Sequence, residues 1–524
     1  MPDLSQSGAR EECGVFGVWA PGEEVAKLTY FGLHALQHRG QEAAGIAVSD
    51  GSSVVVYKDL GLVAQVFDEP TLASLRGHLA IGHTRYSTTG GSTWENAQPT
   101  LRATPTGSTI ALAHNGNLVN TAELAQQVPD QALWAGAGHA PGAPPSSDTA
   151  LVTALLAGHP DLSVEAAALR VLPTLRGAYS FVFLDESTLY AARDPYGVRP
   201  LVLGRLARGW VVASETAALD IVGATVVREI EPGELLAIDE HGLRSARFAS
   251  PAPAGCLFEY VYLARPDSTL AGRNVHAARV AIGKRLAREH PAEADLVIGV
   301  PESGIPAAIG YAEQSGIPYG SGFVKNAYVG RTFIQPSQSL RQLGIRLKLN
   351  PLRDNVRGKR LVVVDDTIVR GNTQRAIVRM LREAGAIEVH VRISAPPIRW
   401  PCFYGIDFPT RAELIANGMV IDELRRSIGA DTLGYVSLDG LVSATEQPKT
   451  RLCRACFDGE YPIELPAGHL IGKHILEGVD RRVGGTGAGG TGATDETTGG
   501  GGEAPQAGAP STRTRLATRT RGEP

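Results

Sequence analysis

Residues 361–373 read Leu-Val-Val-Val-Asp-Asp-Thr-Ile-Val-Arg-Gly-Asn-Thr. Leu361, Val362, Val363 and Val364 form a short, mostly β-branched apolar run, as expected of a strand buried on both faces. Asp365 and Asp366 fall where that strand should end. A turn bearing Thr and Gly follows, then a helix-like segment over residues 374–383. Open α/β sheets bind ligands beyond the carboxyl ends of their strands, and backbone N–H groups at a helix start attract phosphate. The carboxylates cannot bind phosphate themselves; they suit ribose hydroxyls or a magnesium ion beside the phosphate. The stretch thus points to a sugar phosphate with a metal-bound polyphosphate. Acids between a strand and a helix can equally be simple helix caps, so the rest of the chain must decide.

A chain of 524 residues is too long for one core and implies two or three domains. A formal charge of −4 carries no global nucleic-acid or membrane signature. No apolar run reaches membrane-spanning length, and residues 1–12 are polar and acidic, unlike a secretory signal. The five cysteines, Cys13, Cys256, Cys402, Cys453 and Cys456, are odd in number and scattered, which argues against a disulfide framework. A cytoplasmic protein without nucleic-acid or membrane partners is expected.

Upstream, several short motifs occur in order. Residues 11–18 are Glu-Glu-Cys-Gly-Val-Phe-Gly-Val, with Cys13 opening a strand-like segment. Residues 32–45 read Gly-Leu-His-Ala-Leu-Gln-His-Arg-Gly-Gln-Glu-Ala-Ala-Gly, and 81–90 read Ile-Gly-His-Thr-Arg-Tyr-Ser-Thr-Thr-Gly. Then come Ala-His-Asn-Gly-Asn-Leu at 113–118, Ser-Ser-Asp-Thr at 146–149, and Arg-Asp-Pro-Tyr-Gly-Val-Arg-Pro at 193–200. Each is weak alone, and an isolated Asn-Gly-Asn is usually a turn. The ordered set resembles the class II glutamine amidotransferases, whose glutaminase domain is an α+β N-terminal-nucleophile (αββα) fold. The resemblance implies that Cys13 is the nucleophile and becomes the first residue once a leader is removed. Its freed α-amine, with a pKa near ~8, would be the local base. By the same resemblance Arg85 holds the glutamine α-carboxylate and Asp148 its α-ammonium, while Asn115 and the Gly116 N–H form the oxyanion hole. Asn117 is expected to shape the turn. His34, His38, His83 and His114 are expected in loops, positioning backbone.

Alternating apolar residues over 172–184 and 201–213 read as strands, 233–238 as the closing strand of this domain, and 249–255 as a linker. An Ala/Gly/Pro-rich patch at 134–146 reads as a surface insertion. In the second domain, residues 273–290 are helix-like and 295–300 a strand, followed by Pro-Glu-Ser-Gly-Ile-Pro at 301–306. A glycine turn there lets backbone approach a ligand. Residues 322–349 are rich in Gly, Ser, Gln and cations, and their middle, 329–338, reads as an active-site lid.

The 361–373 string resembles the motif for 5-phosphoribosyl-1-diphosphate (PRPP) in type I phosphoribosyltransferases, an α/β fold. That resemblance implies that Asp365, Asp366, Thr367, Arg370, Gly371, Asn372 and Thr373 bind PRPP. It also implies that Ser303, Asp365 and Asp366 hold one Mg2+ per subunit.

Cys453 and Cys456 form a Cys-x-x-Cys pair; with Cys256 and Cys402 they suit structural zinc or an iron–sulfur cluster, which spacing cannot separate. The whole chain resembles the glutamine–PRPP amidotransferase family over residues 13 to about 478. One branch of it combines a cleaved leader with a 4Fe–4S cluster, one per subunit, on four cysteines placed as here. The expected organisation is leader 1–12, glutaminase domain 13–248, phosphoribosyltransferase domain 249–478, and a disordered Gly/Thr/Arg-rich tail 479–524. The resemblance implies conversion of PRPP, glutamine and water to 5-phosphoribosylamine, glutamate and diphosphate. It also implies a homotetramer inhibited by purine nucleotides. A hexosamine-forming amidotransferase would carry sugar-isomerase sequence in place of Asp365-Asp366-Thr367.

Overall fold

The structure, a computed structural model, describes residues 12–86, 93–105, 107–128, 147–326, 348–406, 408 and 411–466. The expected insertion at 134–146, the lid at 329–338, the tail and the first eleven leader residues lie outside the described residues.

The first domain is a sandwich of two antiparallel sheets. Its strands are β1 (Gly14–Trp19), β2 (Ala43–Ser49), β3 (Val54–Leu60), β4 (Leu79–Arg85), β5 (Thr100–Ala103), β6 (Thr109–Leu118), β7 (Gly177–Leu184), β8 (Leu189–Arg193), β9 (Val202–Leu206), β10 (Gly209–Ala213), β11 (Thr225–Glu229), β12 (Glu234–Asp239) and β13 (Gly242–Arg247). One sheet runs β11-β9-β10-β1-β4-β2-β3, the other β13-β12-β8-β7-β6-β5. Period-two side-chain alternation explains the layering. On β7, Val182 and Leu184 pack into the core between the sheets. Tyr179, Phe181 and Phe183 point the other way, into a core shared with helices Asp148–Ala157 and Val164–Val171. The opposite sheet is covered by helix Val25–Ala35, giving helix, sheet, sheet, helix. This is the αββα arrangement expected from the motifs.

Three local expectations change. Residues 172–174 are a short 3-10 turn ending a helix, not strand; Pro173 supplies no backbone N–H for a ladder. The 233–238 strand is β12, but β13 closes the sheet; its half-exposed, basic side chains hid it. The Asn-Gly-Asn sequence lies inside β6 rather than in a turn, paired residue by residue with β7.

The second domain is built on a parallel four-stranded sheet, in the order Leu296–Gly299, Arg360–Asp365, Glu388–Ile393, Thr432–Tyr435. Leu361 and Val363 pack on one face, Val362 and Val364 on the other, all fully buried. An uninterrupted apolar run is therefore what this interior strand needs. Helices Val275–Glu289 and Ile305–Ser315 cover one face and helix Asn372–Glu383 the other. The 249–255 stretch is bound to the first domain: Ala252 N–H donates to the Pro195 carbonyl at 2.8 Å and Ala254 N–H to Tyr196 at 2.7 Å. At the junction, buried Arg39 is ion-paired with Glu215 and, at 2.7 Å, with Glu259.

Candidate functional site

Cys13 stands at the entry to β1, whose next residue, Gly14, is registered against Thr84 of β4. That pairing brings Arg85, the last residue of β4, beside the thiol. Asp148 opens helix Asp148–Ala157, which Ser147 caps by accepting from Ala150 N–H at 3.2 Å. Together these elements frame a small pocket lined by Cys13, Arg85, Tyr86, Gln98, His114, Gly116, Ser147 and Asp148. Four residues expected from sequence thus meet in one cavity.

The electrostatics suit a zwitterionic ligand. Burial opposes ionisation of Asp148, but His114, with Nδ1 3.5 Å away, and the N–H groups of Leu118 and Thr149 outweigh it and hold its pKa below the usual carboxylate range. Arg85 lines the same pocket and is almost fully buried, and that burial lowers its pKa. Burial pushes the Cys13 thiol up to about 12, so it rests protonated, with Sγ donating to the Tyr86 carbonyl at 3.3 Å.

Asn115 is fully buried, yet neither atom of its side-chain amide has a hydrogen-bond partner. A buried amide normally forms such bonds, so this one, next in sequence to the pocket residues His114 and Gly116, is left with polar atoms for water or a ligand to satisfy. The neighbouring Gly116 has φ of 143°, and a Cβ there would lie 2.0 Å from the Ala178 carbonyl oxygen. Only glycine fits.

Gln98, Tyr86 and Ser147 have no role in the sequence reading, and His114 has only a backbone-positioning one near the site. Gln98 accepts from His114 N–H at 2.8 Å and donates to Thr149 Oγ1 at 3.0 Å, tying β6 to the helix of Asp148. Three of the four histidines do not sit in loops as expected: His34 is in helix Val25–Ala35, His83 in β4 and His114 in β6, whereas His38 is in the turn after that helix. Burial drives the pKa of His83 down to about 3, and its Nε2 donates to the His114 carbonyl at 2.9 Å. Its positioning role stands on that bond. A histidine in an alternating segment such as 81–85 could have been read as strand.

In the second domain, Asp365 and Asp366 lie at the carboxyl end of the interior strand, both nearly buried. Burial, and for Asp365 also the charge of Asp366, raises both carboxyl pKa values. Ser303 Oγ donates to Asp366 Oδ2, Thr367 Oγ1 to Asp366 Oδ1 at 2.6 Å, and Gln374 Nε2 to Asp365 Oδ2. Among the described residues neither carboxylate is ion-paired. Two buried acids side by side suit a cation. The helix after them starts at Asn372; Gly371, with φ of 76°, precedes it, and no side chain caps it. Thr373 lies in its first turn, while Arg370 Nη2 donates to Glu413 Oε1 at 3.1 Å. Gly304 lets its turn press against the strand: a Cβ there would lie 2.4 Å from the Val364 carbonyl oxygen.

The remaining thiols converge. Cys256 and Cys453 are register partners in a short parallel pairing, and Cys256, Cys453 and Cys456 share one core against which Cys402 packs. Burial raises all four thiol pKa values, and Cys256, Cys402 and Cys453 each raise that of Cys456 further. All are free. Among the described residues no three His, Cys, Asp or Glu side chains form a group that could hold a single metal ion.

An αββα sandwich with this pocket, joined to a parallel sheet ending in paired acids, defines a glutamine amidotransferase fused to a phosphoribosyltransferase. Comparison agrees: residues 83–220 match the glutamine amidotransferase domain model and 273–396 the phosphoribosyl transferase domain model. The chain is 69% identical over 483 residues to the amidophosphoribosyltransferase of Mycobacterium tuberculosis, covering 91% of each. It is 49% identical to that of Bacillus subtilis, covering 90% of this chain and 98% of the relative. Among solved structures, the B. subtilis glutamine PRPP amidotransferase complexed with ADP and GMP superposes with a TM-score of 0.81 at 48% identity, covering 88% of this chain and all of that one. The chain belongs to the amidophosphoribosyltransferase family. These pentosyltransferases open purine biosynthesis by converting PRPP, glutamine and water to 5-phosphoribosylamine, glutamate and diphosphate. Members commonly bind Mg2+.

Proposed function

We propose that Cys13 is the glutaminase nucleophile and that the unpaired Asn115 amide, with the Gly116 N–H, receives the oxyanion formed when it attacks glutamine. The buried amide without a partner carries this reading. Arg85 holds the substrate α-carboxylate by a fork of hydrogen bonds and Asp148 the α-ammonium. The α-amine of a processed Cys13 takes the thiol proton and returns it to the departing ammonia. An oxyanion donor of this kind contributes about 3–4 kcal/mol to lowering the barrier. Asn115→Ala tests the assignment: glutamine-dependent turnover should fall on the order of 100-fold while ammonia-dependent turnover is kept. Equal loss with ammonia would reject it.

At the second site, Asp365 and Asp366 bind ribose hydroxyls and, with Ser303, a magnesium ion. Held there, magnesium would supply positive charge to offset that of the diphosphate leaving group. Thr367, Arg370, Gly371, Asn372 and Thr373 enclose the 5-phosphate at the uncapped helix start.

Residues 1–12 are a leader removed to free Cys13. Glu12 is buried, forms an ion pair with Arg199, and has its pKa raised to about 8 chiefly by burial. An intact mass of active enzyme retaining residues 1–12 would reject leader removal. Cys256, Cys402, Cys453 and Cys456 would hold a 4Fe–4S cluster; four converging thiols with the buried cation of Arg199 acting on three of them suit its ligand set. The boundaries 13–248 and 249–478, a homotetramer, purine-nucleotide inhibition and a cytoplasmic setting complete the reading. Among the described residues no helix is long and apolar enough to cross a membrane.

A further inference from the structure

Residues 402–405 run from one of the four thiols straight onto the strand that carries Asn115 and Gly116. Asn117 Nδ2 donates to the Phe403 carbonyl at 3.0 Å, although the two are far apart in sequence. The Tyr404 carbonyl accepts from Arg199 Nε at 3.0 Å and Nη2 at 2.8 Å, and Arg199 is fully buried. Tyr404 is itself pinned: its hydroxyl donates to the Ile463 carbonyl at 2.8 Å and accepts from Ile463 N–H at 3.1 Å. Tyr404 N–H points at Cys402 Sγ, 3.4 Å away. Gly405 completes the contact. Its φ is 121°, and a Cβ on it would lie 3.3 Å from Gly116 Cα and carbonyl carbon. Gly116 is thus enclosed between Ala178 of β7 on one side and Gly405 on the other.

We infer that the 402–405 segment braces the oxyanion hole, with Asn117 and Gly405 as positioning residues for glutamine hydrolysis. The inference rests on the oxyanion role given above to Asn115 and Gly116. Neither Asn117 nor Gly405 lines the pocket. They act by fixing the backbone of Gly116, whose N–H must aim at the developing charge within a fraction of an ångström. A misplacement of about 1 Å can lower a rate on the order of 100-fold. Because Cys402 starts the same segment, the brace also ties the four-thiol site to the glutaminase strand.

The test compares Asn117→Ala, Gly405→Ala and Asn115→Ala in the full chain. Each is measured with glutamine and with ammonia, and each is analysed for iron and inorganic sulfide. The brace requires that Asn117→Ala and Gly405→Ala lower the glutamine-dependent kcat about 10-fold or more. KM for glutamine should change less than about 3-fold, with ammonia-dependent turnover and metal content kept. If Asn115→Ala loses glutaminase activity but both brace variants retain the parental kcat, the brace is overturned and the oxyanion assignment survives. If Asn115→Ala itself retains activity, the oxyanion assignment fails and the brace with it. If KM rises while kcat holds, the segment shapes substrate binding and the inference is equally overturned. Gly405→Ala gives an independent reading should Asn117→Ala not accumulate as folded protein.

Discussion

The Nδ1 atom of His114 stands 3.5 Å from Oδ2 of Asp148, and the other ring nitrogen of that buried histidine has no hydrogen-bond partner. The pair places a carboxylate, kept charged despite its burial, at the mouth of the helix that frames the pocket. Its charge is available to a substrate ammonium. Asp148→Asn removes that charge while preserving shape. The expected result is a KM for glutamine raised on the order of 100-fold, the size of about 3 kcal/mol for a charge-assisted hydrogen bond. Ammonia-dependent turnover should not change. Steady-state kinetics with both nitrogen donors checks this, and an unaltered KM would remove Asp148 from the substrate contacts.

The protonation of Cys13 sets a pH dependence. Burial pushes its thiol up to about 12, so almost no thiolate exists at neutral pH. A base must take the proton as the bond to carbon forms. If that base is the α-amine of processed Cys13, it must be neutral, and the rate must rise with pH through a value near ~8. A reaction that began from preformed thiolate would keep rising towards 12 without levelling. The profile of glutamine-dependent kcat/KM between pH 6 and 10 distinguishes the two. Alkylation of Cys13 by iodoacetamide in protein that retains residue 12 should show no plateau over the same range.

Much of this site was legible in sequence because its chemistry sits in short motifs that the strands deliver intact. The 361–364 run is apolar throughout because its strand is covered on both faces, and the acids after it fall at the strand's carboxyl end as expected. Cys13, Arg85, Gly116 and Asp148 meet because β1, β4, β6 and one helix start converge. What was not legible depends on tertiary contact. Asn117 reads as a turn residue, since Asn-Gly-Asn favours turns. Pairing with β7 overrides that preference, and the side chain is directed at Phe403. Gln98 lies in no motif, and its bridging role exists only once β6 and the helix of Asp148 are neighbours. The closing strand β13 lacks an apolar alternation because its outer edge faces solvent.

Helices Val275–Glu289 and Ile305–Ser315 cross at two glycines. A Cβ on Gly283 would lie 1.9 Å from the Ala307 carbonyl oxygen, and one on Gly310 would lie 2.0 Å from that of Val280. Both obstacles are backbone, so neither can swing aside. Helix propensity alone would make Gly283→Ala stabilising by about 1 kcal/mol. Overpacking of a rigid contact costs about 1–3 kcal/mol or more and should win. Gly283→Ala is therefore expected to lower the unfolding midpoint, and Gly283→Val to lower it further. Thermal unfolding followed by circular dichroism measures both. A raised midpoint for Gly283→Ala would mean that the helices separate at little cost.

The four thiols give the prediction with the sharpest elemental readout. Cys256, Cys453 and Cys456 are buried and Cys402 is partly so; all four are protonated when empty and drawn from three separate segments around one core. A cluster would require their thiolates, so loading must release protons and must bind more tightly as pH rises. Protein purified without oxygen should carry about four iron atoms and four inorganic sulfides per chain, with broad visible absorption. Zinc in their place would give about one metal ion, no sulfide and no colour. Cys456→Ser should lower iron content and the unfolding midpoint together, since the cluster would join segments that are otherwise held only by packing. Bare thiols would show neither metal nor sulfide, and Cys456→Ser would then shift stability by no more than an ordinary buried substitution, about 1 kcal/mol.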